Sequence, residues 1–185
     1  WLPTWDAEHN GFRMDADGNV TSPSPSDPVI PVVEDGAPVP ALREIFALIA
    51  EHDLVLATGH SSSEEALILI RAAKAQGVQH ILVTHPFGQH ASTDQMRQMG
   101  SEGAIMELDW FAVTRGSDSI EDYAAAIREV GAEHFLISSD LGQAGNPIHT
   151  DGLRDFIRAL RAAGISDREI DLMARDNPAQ LLGLD

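Results

Sequence analysis

Four near-continuous apolar runs constrain this chain more than any other feature: LVLATGH (54–60), HILVTHP (80–86), AIMELDW (104–110) and HFLISSD (134–140). Their apolar residues do not alternate with polar ones, as they would in strands with one wet face. Runs of this kind fit parallel strands covered on both sides. Helical patterns with their own punctuation lie around and between them. ALREIFALIAEH precedes the first run with Leu42, Ile45, Phe46 and Ile49 on one face. SSSEEALILIRAAKAQG opens on a capping-box pair, Ser62 and Glu65, and stops at Gly77. SIEDYAAAIREVG stops at Gly131, and GLRDFIRALRAAG runs through Leu153, Phe156, Ile157 and Leu160 to Gly164. SDREIDLMARDNP has a second capping box, Ser166 with Glu169, and Pro178 as its expected terminator. Strand–helix alternation with a unit of about 25–30 residues predicts βαβ units and a parallel sheet. WLPTW at the front is read as one more strand. Residues 10–40, rich in Gly, Asp, Ser and Pro, are read as an irregular insertion with a short hairpin at VIPVVEDGAPV.

The four runs end alike. The first closes on His60, the second on His85, the third on Glu107-Leu-Asp109 and the fourth on Asp140. Carboxyl ends of parallel strands are where open α/β sheets and barrels both build their sites. Two imidazoles and a carboxylate converging there offer nitrogen and oxygen donors suited to zinc, manganese or iron. The chain has no cysteine, so any metal is held without thiolate and no disulfide forms. A metal so held makes hydroxide available near neutral pH, and a further carboxylate can move the proton. His52, His80 and His134 fall on the opposite rim and read as structural. His9, His90 and His149 fall in loops on the active side, where substrate would be met.

Charge narrows the partners. Twelve basic residues against 29 acidic ones give a net charge of −17, a field that repels phosphate backbones and anionic lipid. Nucleic acid and membrane are therefore excluded as expected partners, and a small-molecule substrate is expected. No apolar run approaches the roughly 20 residues of a membrane span, and no signal-peptide pattern is seen. A cytoplasmic protein is the expectation.

LATGHSSSEEALILIRAAKAQGVQHILVTHP, SSDLGQAGNPIHTDGLRDFIRALRAAGIS and MARDNPAQLLGL together resemble the C-terminal half of the amidohydrolase superfamily, in its phosphotriesterase-like and metal-dependent hydrolase branches. The resemblance implies a TIM-type (β/α)₈ barrel of which strands 4–8 are present, with WLPTW as strand 4. It places His60 at the strand-5 histidine, His85 at the strand-6 histidine and Asp140 at the strand-8 aspartate. It implies metal binding by His60, His85 and Asp140, with Asp140 as general base and His85 steadying the oxyanion. Glu107 would face substrate from strand 7. Arg115 is a candidate carboxylate or phosphate clamp, and His149 and His9 are candidate substrate contacts. No His-x-His occurs, and WLPTW offers no lysine to bridge two metals, so a one-metal site is as expected as a two-metal one. A barrel of this type typically needs about 250 residues. Residues 1–185 therefore read as the C-terminal portion of such a barrel, completed by a missing N-terminal half or by a second copy. The expected activity is metal-dependent hydrolysis of an amide, lactone, ester or phosphoester. Two alternatives stand beside it. One is a metallophosphoesterase of the polymerase-and-histidinol-phosphatase type; the other is a non-catalytic barrel half acting as a structural or binding partner.

Overall fold

A computed structural model describes residues 1–11, 13–14, 20–24 and 26–184. The chain divides into two units, Trp1–Thr84 and His85–Asp185.

In the first unit, β1 (Arg13–Met14) pairs antiparallel with β2 (Val20–Thr21), and β3 (Val33–Glu34) with β4 (Ala37–Pro38). The second pair is the hairpin expected within 10–40. Asp35 and Gly36 both take positive φ (49° and 76°), the conformation a two-residue hairpin turn demands. Residues 12, 15–19 and 25 of the expected insertion lie outside the described residues. Helix α1 (Ala41–Glu51) buries Leu42 and Phe46, but Ile45 of the predicted stripe is 41% exposed. Strand β5 (Val55–Ala57) pairs in parallel with β6 (His80–Val83), joined by α2 (Ser63–Ala75). Ser62 and Glu65 make both bonds of the capping box. Leu69, Ile70, Ala73, Val78 and Ile81 are fully buried, as continuous apolar runs require.

WLPTW is not assigned as a strand. Its backbone nevertheless lies beside the end of β5: Leu2 N–H donates to the Ala57 carbonyl at 2.9 Å, and His60 N–H to the Pro3 carbonyl at 3.0 Å. Pro3 has no amide proton and cannot extend this ladder, which limits it to these two bonds. The approach is close enough that Gly59, at φ +63°, is obligatory. A Cβ there would stand 2.3 Å from the Pro3 carbonyl oxygen.

In the second unit, β7 (Ile105–Asp109) and β8 (Phe135–Ser138) form a parallel pair with Glu107 opposite Leu136 and Asp109 opposite Ser138. Before them comes α3 (Thr93–Ser101), a helix absent from the sequence reading. It is mostly polar, burying Met96, Met99 and Gly100, so its apolar stripe is too thin to announce itself. The flat face of Gly100 admits His134; a Cβ there would meet the ring at 2.8 Å, and a structural role for that histidine follows. Helix α4 (Trp110–Arg115) starts directly off β7, at the end of the AIMELDW run. Asp109 as N-cap makes this turn possible. Helix α5 (Ile120–Val130) ends at Gly131 as read. Helix α6 (His149–Ala162) begins three residues before the expected GLRDF segment and shortens the loop after β8.

After α7 (Asp167–Asp171) the chain does not stop at Pro178. It passes through a π-helical turn (Leu172–Asp176) into α8 (Asn177–Leu181), with Pro178 in the first turn of α8. There its missing N–H is tolerated. The wider turn presents Asn177 inward. Its Nδ2 donates to the carbonyls of Ala132 (2.9 Å) and Phe135 (2.6 Å), at the start of β8. Two buried acceptors are thereby satisfied by the two protons of one amide. No helix among the described residues is long and apolar enough to cross a membrane.

Candidate active site

The second unit gathers ionisable groups at its strand tips. Glu107 and Asp109 are two residues apart on β7 and so share a face, with Leu108 buried on the other. His85 faces both: its Nδ1 is 3.1 Å from Asp109 Oδ2 and 3.6 Å from Glu107 Oε2. Asp109 is 4% exposed, so this is a buried charge cluster and not a solvated face. Burial pulls the His85 pKa down, but the hydrogen bond and charge of Asp109, aided by Glu107 and Asp140, outweigh it and raise it to about 9. At neutral pH His85 is thus an imidazolium. Burial raises the Glu107 carboxyl, opposed by the His85 charge. Desolvation likewise raises the carboxyl of Asp140, again opposed by His85.

Backbone strain marks the same residues. His85 and Asp140 both sit at positive φ (47° and 43°), a region that costs a non-glycine residue about 1–3 kcal/mol. Asp140 accepts from Gln143 Nε2 at 3.4 Å, and Gln143 Oε1 accepts from Asn146 Nδ2 at 2.6 Å. Arg115, at the end of α4, lies 5.1 Å over the Phe111 ring and 3.5 Å from Asn146 Oδ1. His149 Nδ1 is 3.1 Å from Ser139 Oγ at the head of α6.

Sequence reasoning placed Asp109 beside Glu107 at a strand tip without a partner, and passed over Asp118 and Tyr123. Tyr123 is 1% exposed, and its hydroxyl lies 2.7 Å from Asp118 Oδ2 and 3.2 Å from the Asp109 carbonyl. Burial raises both the tyrosine and the Asp118 carboxyl. A single tyrosine in an amphipathic helix reads as core, and nothing in the pattern announces its hydroxyl. The alternation of Glu107 and Asp109 was the one available signal for the acidic face.

His60 and His9 belong to the first unit. His60 Nδ1 is 3.2 Å from Oδ1 of the buried Asn10, whose amide donates to the Trp5 carbonyl at 3.2 Å. His9 is exposed. His60, His85 and Asp140 are of the right donor type for zinc, manganese or iron. Among the described residues, however, no group of three or more His, Asp or Glu is disposed to hold an ion.

The α/β fold with parallel strands is one that solved structures share. An amidohydrolase from Mycoplasma synoviae superposes with a TM-score of 0.65 at 16% identity, covering 96% of this chain and 57% of its own. A 2,6-dihydroxybenzoate decarboxylase gives 0.55 at 16% identity, covering 95% and 61%. An amidohydrolase from Burkholderia multivorans gives 0.55 at 12% identity, covering 76% and 56%. These relatives are members of the amidohydrolase superfamily, and the chain spans little more than half the length of each. No curated protein matches it. By its sequence the chain belongs to DUF6282, a family of unknown function, whose profile matches residues 1–107.

Proposed function

We propose that this chain carries the acid–base end of a metal-dependent hydrolase of amidohydrolase type, acting on an amide, lactone, ester or phosphoester. The observation that carries the reading is the pairing of His85 and Asp140, each on left-handed backbone at a strand tip, with Glu107 and Asp109 around the imidazole. Asp140, its carboxyl raised by desolvation, takes the proton of the attacking water. Charged His85 stabilises the negative charge developing on the substrate oxygen. Asp140 then returns its proton to the leaving group. Glu107 stands on the substrate side of the imidazole, and Arg115 receives an anionic group of the substrate. A divalent ion, most simply zinc, would acidify the attacking water, with Asp140 as its proposed ligand in the second unit. The whole enzyme is proposed to work in the cytoplasm on a small molecule.

A second reading has its own support. An imidazolium is also the proton donor that a decarboxylated ring carbon needs, and one structural relative is a decarboxylase. One experiment separates the readings. Protein stripped with chelator is reloaded with zinc, manganese or iron, its metal is measured per chain, and lactones, esters, amides, phosphoesters and hydroxybenzoates are offered. Hydrolysis that disappears on stripping and returns on reloading supports the first reading, and release of carbon dioxide the second. Full hydrolytic activity in Asp140→Asn would overturn the proposed mechanism.

A further inference from the structure

We propose that Asn146 and Gln143 make Arg115 a carboxylate subsite, so that the substrate of the reaction proposed above carries a carboxylate. The inference rests on that reading for its purpose but not for its test. Three hydrogen bonds run in one direction. Arg115 Nη2 donates to Asn146 Oδ1 at 3.5 Å, Asn146 Nδ2 to Gln143 Oε1 at 2.6 Å, and Gln143 Nε2 to Asp140 Oδ1 at 3.4 Å. Each amide uses its oxygen toward the arginine and its nitrogen toward the aspartate.

Other arginines of this chain are placed differently. Arg97, Arg154, Arg158, Arg161 and Arg175 each hold a carboxylate at 2.5–3.1 Å, as 29 acidic residues against 12 basic ones favour. Arg115 has neutral partners instead, the Phe111 ring 5.1 Å from its guanidinium carbon and the Asn146 amide at one nitrogen. Among the described residues no carboxylate pairs with it. Ring and amide together orient the guanidinium without neutralising it. Only one of its five N–H groups is used toward Asn146, so donors remain for a planar ligand. The two amides also stand between the cation and Asp140. In direct contact those two would form an ion pair, and neither would be open to substrate.

A carboxylate fits this subsite better than a phosphate. Arg115 lies in the last turn of α4, near its carbonyl end, and the chain carries a net charge of −17. Both features oppose a dianion. Phosphate sites gather several N–H donors, typically at a helix N-terminus, whereas one guanidinium fork matches one carboxylate.

The test titrates protein labelled with ¹⁵N-arginine with sodium benzoate and, separately, with inorganic phosphate at constant ionic strength. The Nε–H signal of Arg115 is followed, and its loss in Arg115→Gln assigns it. Benzoate is expected to move the signal saturably and phosphate to leave it in place. Asn146→Ala removes a hydrogen bond to a charged group and should weaken benzoate binding about 10-fold. Asn146→Asp gives Arg115 the acidic partner that the other arginines have, so benzoate binding should be lost. No saturable response to benzoate in the wild type, or a tighter response to phosphate, overturns the proposal whatever the variants do. Wild-type affinity in folded Asn146→Asp overturns it too. On any ester found to be hydrolysed, Asn146→Asp should raise KM for a carboxylate-bearing substrate and leave that of its uncharged analogue unchanged, a split that a purely structural role does not produce. Benzoate binding without metal-dependent hydrolysis would sink the hydrolase reading and leave the subsite standing. Hydrolysis confined to uncharged substrates would do the reverse.

Discussion

His60 and His85 carry the same signature in sequence, an apolar run that ends on a histidine, yet their surroundings differ. In the first unit His60 meets the neutral side-chain oxygen of Asn10; in the second, His85 meets two carboxylates from a single strand. The difference lies not in the histidine's own run but in what the next strand offers. The Glu-Leu-Asp alternation of β7 puts two acids on the face that His85 occupies. A strand-tip histidine is therefore defined by its neighbour's period.

The sharpest way to break this contrast is to remove the charged histidine. His85→Gln should lower turnover about 10²–10⁴-fold, the usual worth of a positioned acid–base group. Steady-state rates on the substrate found by screening check it, and wild-type rates would remove His85 from the chemistry.

Glycine contacts sharpen the comparison through stability. In the first unit, a Cβ at Gly59 meets rigid backbone at 2.3 Å on left-handed φ, so Gly59→Ala should cost on the order of 3 kcal/mol. In the second unit, a Cβ at Gly152 meets side chains and no backbone, Leu141 at 2.0 Å and the Trp110 ring at 3.3 Å, and the leucine can swing away. Gly152→Ala should cost about 1–2 kcal/mol. Denaturant unfolding of both variants is the check, and equal losses would contradict this reading of the Pro3 contact.

The electrostatic side of the contrast has a sign. His85 binds its proton more tightly folded than unfolded, so its contribution is complete below about pH 6.5 and is lost as pH rises through about 9. The rise corresponds to on the order of 3 kcal/mol. Unfolding free energy measured from pH 6 to 10 should fall across that window in the wild type and flatten in His85→Gln. Parallel curves would exclude the ion cluster as a source of stability. The smallest expected effect is one the units share. Ser62→Ala and Ser166→Ala each remove one capping box, one per unit, and should each cost about 1 kcal/mol.

Much of this was readable in advance, because it depended on local chemistry. The apolar runs, both capping boxes, the glycine stops and the Asp-Gly hairpin are short-range signals, and each produced its element. What escaped depended on contacts distant in sequence. Helix α3 has too few apolar residues to declare a face, and α4 grows from a strand only because Asp109 caps it. Pro178 looks like a terminator until the π turn makes room for Asn177. Ile45 belonged to the α1 stripe by spacing, yet it is solvent-facing. The strand-tip residues of the second unit were legible as types and positions, but not the directions in which Asp109 divides its two oxygens. Tyr123 gave no hint of its hydroxyl's partners.

The clasp of Asn177 on the carbonyls of Ala132 and Phe135 bears on the far end of β8. A strand pinned at its root cannot slide against its neighbour, so its register stays fixed. The strained residue just beyond its tip then behaves like a tool mounted on a rigid stem. Asp140 can be held off its preferred backbone angles because the stem does not yield to relieve them. On the proposed reading, a substrate meeting that carboxylate has less motion left to arrest, and more of its binding energy remains for the chemical step.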